Sequence, residues 1–364
     1  MSIGFNRIYQ GNSIDVLKTF PDEIVDCVVT SPPYWGLRDY GTAEWEGGDT
    51  ECSHKRESKK SDKTITGHKN FEEMNGVGDA IYKSVCSRCG AKRVDKQLGL
   101  EETPEEFAQN LVKLFREIKR VLKKSGTVWL NLGDSYSRTP NSQVSQKGLC
   151  ASKNDDKKYE YSHKKDYGDT IKPKDLVGIP WKVAFALQSD GWYLRQDIIW
   201  HKPNPMPESV KDRCTKAHEY IFLLSKSPKY FYDIDAIREP VSEISLKRAE
   251  YGWDGVEVEG RNSPQKCDDM KRFAPESGRN KRSVWKITTK SYKEAHFATF
   301  PPELPELCIK AGCPKDGVVL DPFFGSGTTG WVAQRLGRKW IGVELNPEYI
   351  KIADKRFKQQ DLFA

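Results

Sequence analysis

Apolar residues along the chain fall into short blocks of two periodicities, separated by long polar stretches. Ile24 to Thr30 (IVDCVVT) is a nearly continuous β-branched run, the pattern of a strand covered on both faces. It stops at Ser31-Pro32-Pro33-Tyr34-Trp35-Gly36, where two prolines block both sheet pairing and helix. Farther on, Thr103-x-x-Glu106 with Pro104 reads as a helix start. Phe107, Leu111, Leu114, Phe115, Ile118, Val121 and Leu122 form one face at helical spacing, and Gly126 is placed to end that helix. Thr127 to Leu132 (TVWLNL) then predicts a strand, so helix feeds strand as in a βαβ unit. The pattern continues with a helix near 176–189 and strands at 193–200 and 220–224. The last 65 residues give a helix near 303–311, a strand at 317–320, a glycine turn, a helix at 328–336, a strand at 340–344 and a terminal helix. This alternation predicts an α/β fold with a doubly wound, mostly parallel sheet.

Three polar segments interrupt the pattern. Residues 41–98 are rich in Lys, Glu, Gly, Ser and Asp and read as an insertion; 135–174 read as a long polar loop; 235–290 are irregular, with basic residues and Trp interleaved. Residues 1–40, 99–234 and 291–364 are left to build the main domain.

Composition narrows the class. The 364 residues carry 59 Lys and Arg against 52 Asp and Glu, a net charge of +7 that suits a polyanionic partner without requiring one. No apolar run of about 18 residues exists, which argues against a membrane span, and the N-terminus does not read as a secretory signal. Nine cysteines, an odd number at mostly irregular spacing, are no disulfide framework and fit a cytosolic chain.

The glycine turn is the first candidate for chemistry. Val318 to Asp321 leads into Pro322-Phe323-Phe324-Gly325-Ser326-Gly327-Thr328-Thr329-Gly330, a strand–turn–helix with G-x-G-x-x-G spacing. A P-loop would need Lys where Thr328 stands. A dinucleotide fold would need a second half, and only 34 residues follow Gly330. Asp321 would repel a pyrophosphate but suits an ammonium group, which favours a cationic nucleoside such as S-adenosylmethionine. A packing turn without ligand is the remaining reading. Glu344, closing the next strand, can accept hydrogen bonds from ribose hydroxyls.

The Ser31–Tyr34 turn is the second. Its prolines hold backbone carbonyls still, so the Ser31 hydroxyl and the Pro32 carbonyl can accept both protons of an amino group while Tyr34 stacks on the ring that carries it. That suits methyl transfer to an exocyclic amine of a nucleobase. A stiffened loop with a half-buried Tyr is the competing reading.

TSPPYW early, with DPFFGSGTTG and IGVELNPEY late, resembles the amino-directed DNA methyltransferases that act on N4 of cytosine or N6 of adenine. The motif order is similar to their circularly permuted β group, and WLNLGDSY, IIWHKPNPMPESVKDR, HEYIFLLSKS and HFATFP extend the likeness. The resemblance implies an S-adenosylmethionine-dependent Rossmann-like fold and assigns Ser31, Pro32, Pro33 and Tyr34 to the target amine. It assigns Asp321, Phe323, Gly325, Gly327 and Thr328 to the methionine end, Glu344 to the ribose, and Thr299 and Phe300 to a further cofactor segment. Where family members commonly have Gly-Asp, this chain has Gly11-Asn12, and Asn12 takes the adenine-facing place. Asp134 faces the pocket or caps a turn.

Ser31 resembles the N4-cytosine branch, with N6-adenine the alternative. Without a Pro-Cys dipeptide, C5-cytosine chemistry is disfavoured. A base held this way must leave the duplex. A catalytically inactive DNA-binding module, and an RNA or small-amine methyltransferase, are the readings of other kinds. The resemblance further implies double-stranded DNA as partner, a possible companion restriction endonuclease, and a cytoplasmic, nucleoid-associated protein of bacterial or phage origin.

Two surface features complete the reading. Cys52-x-His54 and Cys86-x-x-Cys89-Gly90 have the spacing of a structural zinc site, with His68 a substitute ligand, against the plainer reading of free surface thiols. Lys202, Lys211, Arg213, Arg279, Lys281 and Arg282, with Trp285, have the mix expected of phosphate and groove contacts, against the plainer reading of a solvated charged face.

Overall fold

Thr103 begins its helix as the sequence predicts. In the computed structural model, which describes residues 3–36, 44–49, 51–52, 85–86, 88–94, 97–137, 171–244, 278–289 and 300–361, the Thr103 hydroxyl accepts from the Glu106 N–H at 3.1 Å. Glu106 reaches back to the Glu102 N–H at 3.3 Å. The residues of the predicted face, from Phe107 to Val121, are fully buried.

In chain order the elements are β1 (Arg7–Gln10), α1 (Ser13–Lys18), β2 (Val25–Thr30), β3 (Glu44–Glu46), β4 (Lys92–Val94), α2 (Pro104–Val121), β5 (Leu122–Leu132), α3 (Ile179–Ser189), β6 (Tyr193–His201) and β7 (His218–Ser225). They continue with β8 (Val284–Lys286), α4 (Glu303–Gly312), β9 (Val318–Asp321), α5 (Thr328–Arg335), β10 (Lys339–Glu344) and α6 (Pro347–Asp361).

Two compact units emerge. The larger joins Met1–Pro32 to Glu102–Ala364; the smaller spans Pro33–Glu101 and contains the expected insertion at 41–98. The larger unit holds an eight-stranded sheet in the order β1-β10-β9-β2-β5-β7-β6-β8. Neighbours run parallel except for β7, which is antiparallel to both β5 and β6. The sheet is therefore mostly parallel, as the alternation predicts. The strand nearest the C-terminal glycine turn, β9, lies between β10 and β2, with Cys27 beside Val319 and Val28 beside Leu320. The strands that lead into the early and late motifs are thus neighbours inside the sheet, running parallel.

Two expectations are corrected. Gly126 does not end α2: the helix stops at Val121, where Leu122 turns extended, and Gly126 lies inside β5. The register against β2 slips there, and a Cβ on Gly126 would come within 2.5 Å of the Leu122 side chain and 3.0 Å of the Asp26 carbonyl oxygen. Close approach, not helix termination, requires the glycine. Trp285 is not a groove contact either. It is 3% exposed, sits on β8 beside Trp200, and packs 6.2 Å from the Trp129 ring.

Of the polar loop, residues 138–170 lie outside the described residues; its ends are tied where Ser137 and Asp175 share a backbone hydrogen bond. In the smaller unit, β3 and β4 pair antiparallel, and Trp35 is buried with its Nε1 donating to the Glu101 carbonyl.

Candidate active site at the strand ends

Four parallel strands, β1, β10, β9 and β2, end at the same edge of the sheet, the edge at which α/β proteins bind ligands. Hydrogen bonds tie their loops together. The Thr30 hydroxyl, last on β2, donates to Asp321 Oδ1 at 2.7 Å. The Ser13 hydroxyl donates to the Pro322 carbonyl at 2.6 Å. The Gly11 N–H donates to the Glu344 carbonyl, and the Gly325 N–H to Glu344 Oε2 at 2.7 Å. Ser31 and Pro32 follow Thr30 directly, so they leave the sheet beside the glycine turn; Pro33 and Tyr34 begin the smaller unit.

Asp321 is 2% exposed. Besides Thr30, it accepts from the Thr329 hydroxyl at 2.6 Å and the Phe323 N–H at 3.0 Å. Burial outweighs these donors and pushes its pKa up to about 7, with the Glu344 charge adding to the rise. Glu344 is also raised, by burial first, against the backbone N–H groups of Asn346 and Gly325.

The turn itself is shaped by its glycines. Gly325 and Gly327 have φ of +52° and +77°, values that side chains with a Cβ rarely adopt. Among the described residues, chain neighbours aside, the one atom within 4 Å on the Cβ side of Gly325 is the Phe323 carbonyl oxygen at 4.0 Å, so the turn leaves an open cradle there. Ser326 Oγ, in the same turn, is buried without a hydrogen-bond partner. Phe323 is half-buried, whereas Phe324 turns inward and stacks on Trp340 at 5.1 Å.

A family model described as DNA methylase, N6_N4_Mtase, matches residues 25–355. The chain belongs to this DNA methylase family. Similar curated proteins include the type II methyltransferase M.XycI of Xanthomonas campestris pv. cyanopsidis, 39% identical over 356 residues, 98% of this chain and 89% of the relative. M.SmaI of Serratia marcescens is 39% identical, over 96% of this chain and 90% of its own. Among solved structures, the PvuII DNA methyltransferase (cytosine-N4-specific) superposes with a TM-score of 0.53 at 19% identity, covering 96% of this chain and 85% of that one. The putative DNA modification methylase TTHA0409 of Thermus thermophilus, complexed with S-adenosyl-L-methionine, gives 0.50 at 22% identity, covering 97% and 95%. The methylase thus shares the Rossmann-like fold of these methyltransferase structures, one of which holds S-adenosylmethionine as its cofactor.

The strand-end residues fit that cofactor. The cradle at Gly325 would be filled by a Cβ, Ser326 Oγ lacks a partner, and the Asp321 and Glu344 carboxyl groups, once ionised, suit a cationic ligand with hydroxyl groups. Other expected residues are more committed to the protein. Asn12 caps α1, its Oδ1 accepting from the Ile14 N–H; that cap uses the amide oxygen and not the NH2 group. The Thr328 hydroxyl accepts from Arg356 at 2.8 Å. Phe300 is half-buried against the core; Thr299 lies outside the described residues. Thr30, Ser13, Ser326 and Thr329 are the residues that sequence reasoning missed. Thr30, Ser326 and Thr329 stand within the two quoted motifs and Ser13 next to Asn12, which is the signal that could have found them.

Asp134 caps α3: its Oδ1 accepts from Gly178 N–H and Ile179 N–H at 3.0 and 3.1 Å. The expected DNA contacts of the methylase are mostly paired with acids. Lys202 binds Glu219, Arg213 binds Glu208, and Arg279, Lys281 and Arg282 surround Glu239. Cys52, Cys86 and Cys89 come together in the smaller unit; His54 and His68 lie outside the described residues. Among the described residues no helix is long and apolar enough to cross a membrane.

Proposed function

We propose that the methylase modifies the exocyclic N4 amine of cytosine, flipped out of double-stranded DNA, where Ser31 and Pro32 follow β2 beside the glycine turn. The observation that carries this reading is the Thr30–Asp321 hydrogen bond, which fastens the end of β2, just before Ser31, to the end of β9, just before the glycine turn. Asp321, Phe323, Gly325, Gly327 and Thr328 hold the methionine end of S-adenosylmethionine, Glu344 the ribose, and Asn12 the adenine, with Thr299 and Phe300 alongside. When bound, the cofactor supplies a methyl group on a sulfonium, an electrophile that an amine can attack directly. Ser31 and the Pro32 carbonyl accept hydrogen bonds from the two amine N–H groups and turn the lone pair out of conjugation with the ring; the one proton that the methylated amine sheds leaves to solvent. Tyr34 stacks on the base. No protein nucleophile is needed.

Ser31 at the head of the amine turn supports cytosine over adenine. The type II methyltransferase names of its bacterial relatives support duplex DNA as substrate, a companion restriction endonuclease, and a cytoplasmic setting. Labelled methyl transfer tests the base. Genomic DNA is incubated with the methylase and methyl-deuterated cofactor, digested, and its nucleosides weighed by mass spectrometry. Label in N4-methylcytosine supports the proposal. Label in N6-methyladenine overturns the cytosine assignment, and no label on any DNA supports an inactive binding module instead.

A further inference from the structure

We infer that Cys52, Cys86 and Cys89 bind a zinc ion that holds the Pro33–Glu101 unit together. The sulfur atoms all lie within 4.8 Å of one another, and Cys52 Sγ is 3.9 Å from Cys86 Sγ. A disulfide would bring two sulfurs to about 2.05 Å. A tetrahedral zinc with Zn–S bonds of about 2.3 Å separates its sulfur ligands by about 3.8 Å. The observed spacing matches the second geometry. Thiolate ligands select soft or borderline ions, and a Cys-x-x-Cys pair with distant partners is a zinc arrangement.

The backbone is built around the cluster. Cys86 N–H donates to the Ala91 carbonyl, and Gly90 N–H to the Cys86 carbonyl, which closes the turn that carries two of the thiols. Gly90 and Gly48 both have φ of +74°. A Cβ on Gly48 would come within 2.9 Å of Cys89 Sγ, so this glycine lets the β3 end approach the thiols. Pairing of β3 with β4 then brings the Cys52 segment alongside.

Among the described residues the unit shows little apolar core. Among its described residues the buried apolar side chains are Trp35 and Ala91, and its strands are three residues long. Short strands with so few buried apolar side chains among the described residues are the setting in which a metal staple adds stability. Metal binding displaces the thiol protons, and its free energy becomes folding free energy. His54, two residues past Cys52 in the sequence, has the chemistry of a fourth ligand.

The test is metal analysis of the full-length protein purified without chelator. The wild type should carry about one zinc per chain. The Cys86→Ser/Cys89→Ser double variant should carry essentially none, while Cys214→Ser, an exposed cysteine of the other unit, should keep its zinc. Wild-type protein grown on cobalt should show a thiolate-to-metal charge-transfer band, a readout that does not depend on the variant folding. Zinc retained in the double variant, a metal-free wild type without the cobalt band, or a Cys52–Cys86 disulfide in the purified protein would overturn the inference. None of these measurements involves methyl transfer, so their failure leaves the proposed reaction standing.

Discussion

A carboxylate buried as deeply as that of Asp321 is costly to ionise, and burial holds its pKa at about 7. A raised pKa means that the folded chain binds the proton more tightly than the unfolded chain. This contribution to stability is full below the ordinary value of 3.8 and is lost as pH rises through about 7. Thermal melts between about pH 5 and about pH 8 should therefore show a fall in stability that Asp321→Asn reduces. Cofactor binding has the opposite sign, because a cationic ligand prefers the ionised carboxylate. Its affinity, read by calorimetry, should rise through neutral pH in the wild type and stay flat in Asp321→Asn. A wild-type affinity that ignores pH would detach Asp321 from the cofactor. Ser31→Ala should lower kcat on the order of 10²-fold with cofactor affinity unchanged, because its hydroxyl is assigned to the amine and not to the cofactor.

At the scale of elements, the glycine turn depends on what lies beneath it. Phe324 stacks on Trp340 of β10 at 5.1 Å, and Phe357 of α6 completes the cluster, 6.3 Å from Phe324 and 4.6 Å from Trp340. A Cβ on Gly330 or Gly342 would strike its ring at 2.6 or 2.4 Å. Phe324→Ala should cost about 3–5 kcal/mol in urea unfolding and weaken cofactor binding with it. The long elements were legible because burial imposes a period: β2 is buried at all six positions, and α2 buries one continuous face. β1 and β8 were not. They span four and three residues with mixed exposure, too short for a period to show, and pairing with neighbours alone makes them strands. Gly126 misled for a related reason, since a glycine after an apolar helix pattern reads as a stop unless the approach of Leu122 and Asp26 is known.

For the molecule as a whole, the charge excess is less available than a count suggests. Burial alone would raise Glu239, but the Arg282 hydrogen bond and the Lys281 and Arg282 charges outweigh it and hold Glu239 below the usual carboxylate range. Of the three cations around it, Arg282 is 68% exposed and Lys281 17%. Arg282→Ala should reduce the slope of DNA affinity against salt by about one in anisotropy titrations. Lys202→Ala should change it less, because Lys202 is half-buried against Glu219. The motifs of the site could be read from sequence, since each packs its residues into one turn; their meeting could not. It depends on β9 pairing with β2 from nearly three hundred residues away. That meeting is tested most directly by diffraction from crystals of the methylase grown with S-adenosylmethionine. Cofactor density among Asn12, Asp321, Gly325 and Glu344, with its methyl group directed toward Ser31, is the predicted result. Density in any other crevice, or a methyl group pointing away from Ser31, would contradict it.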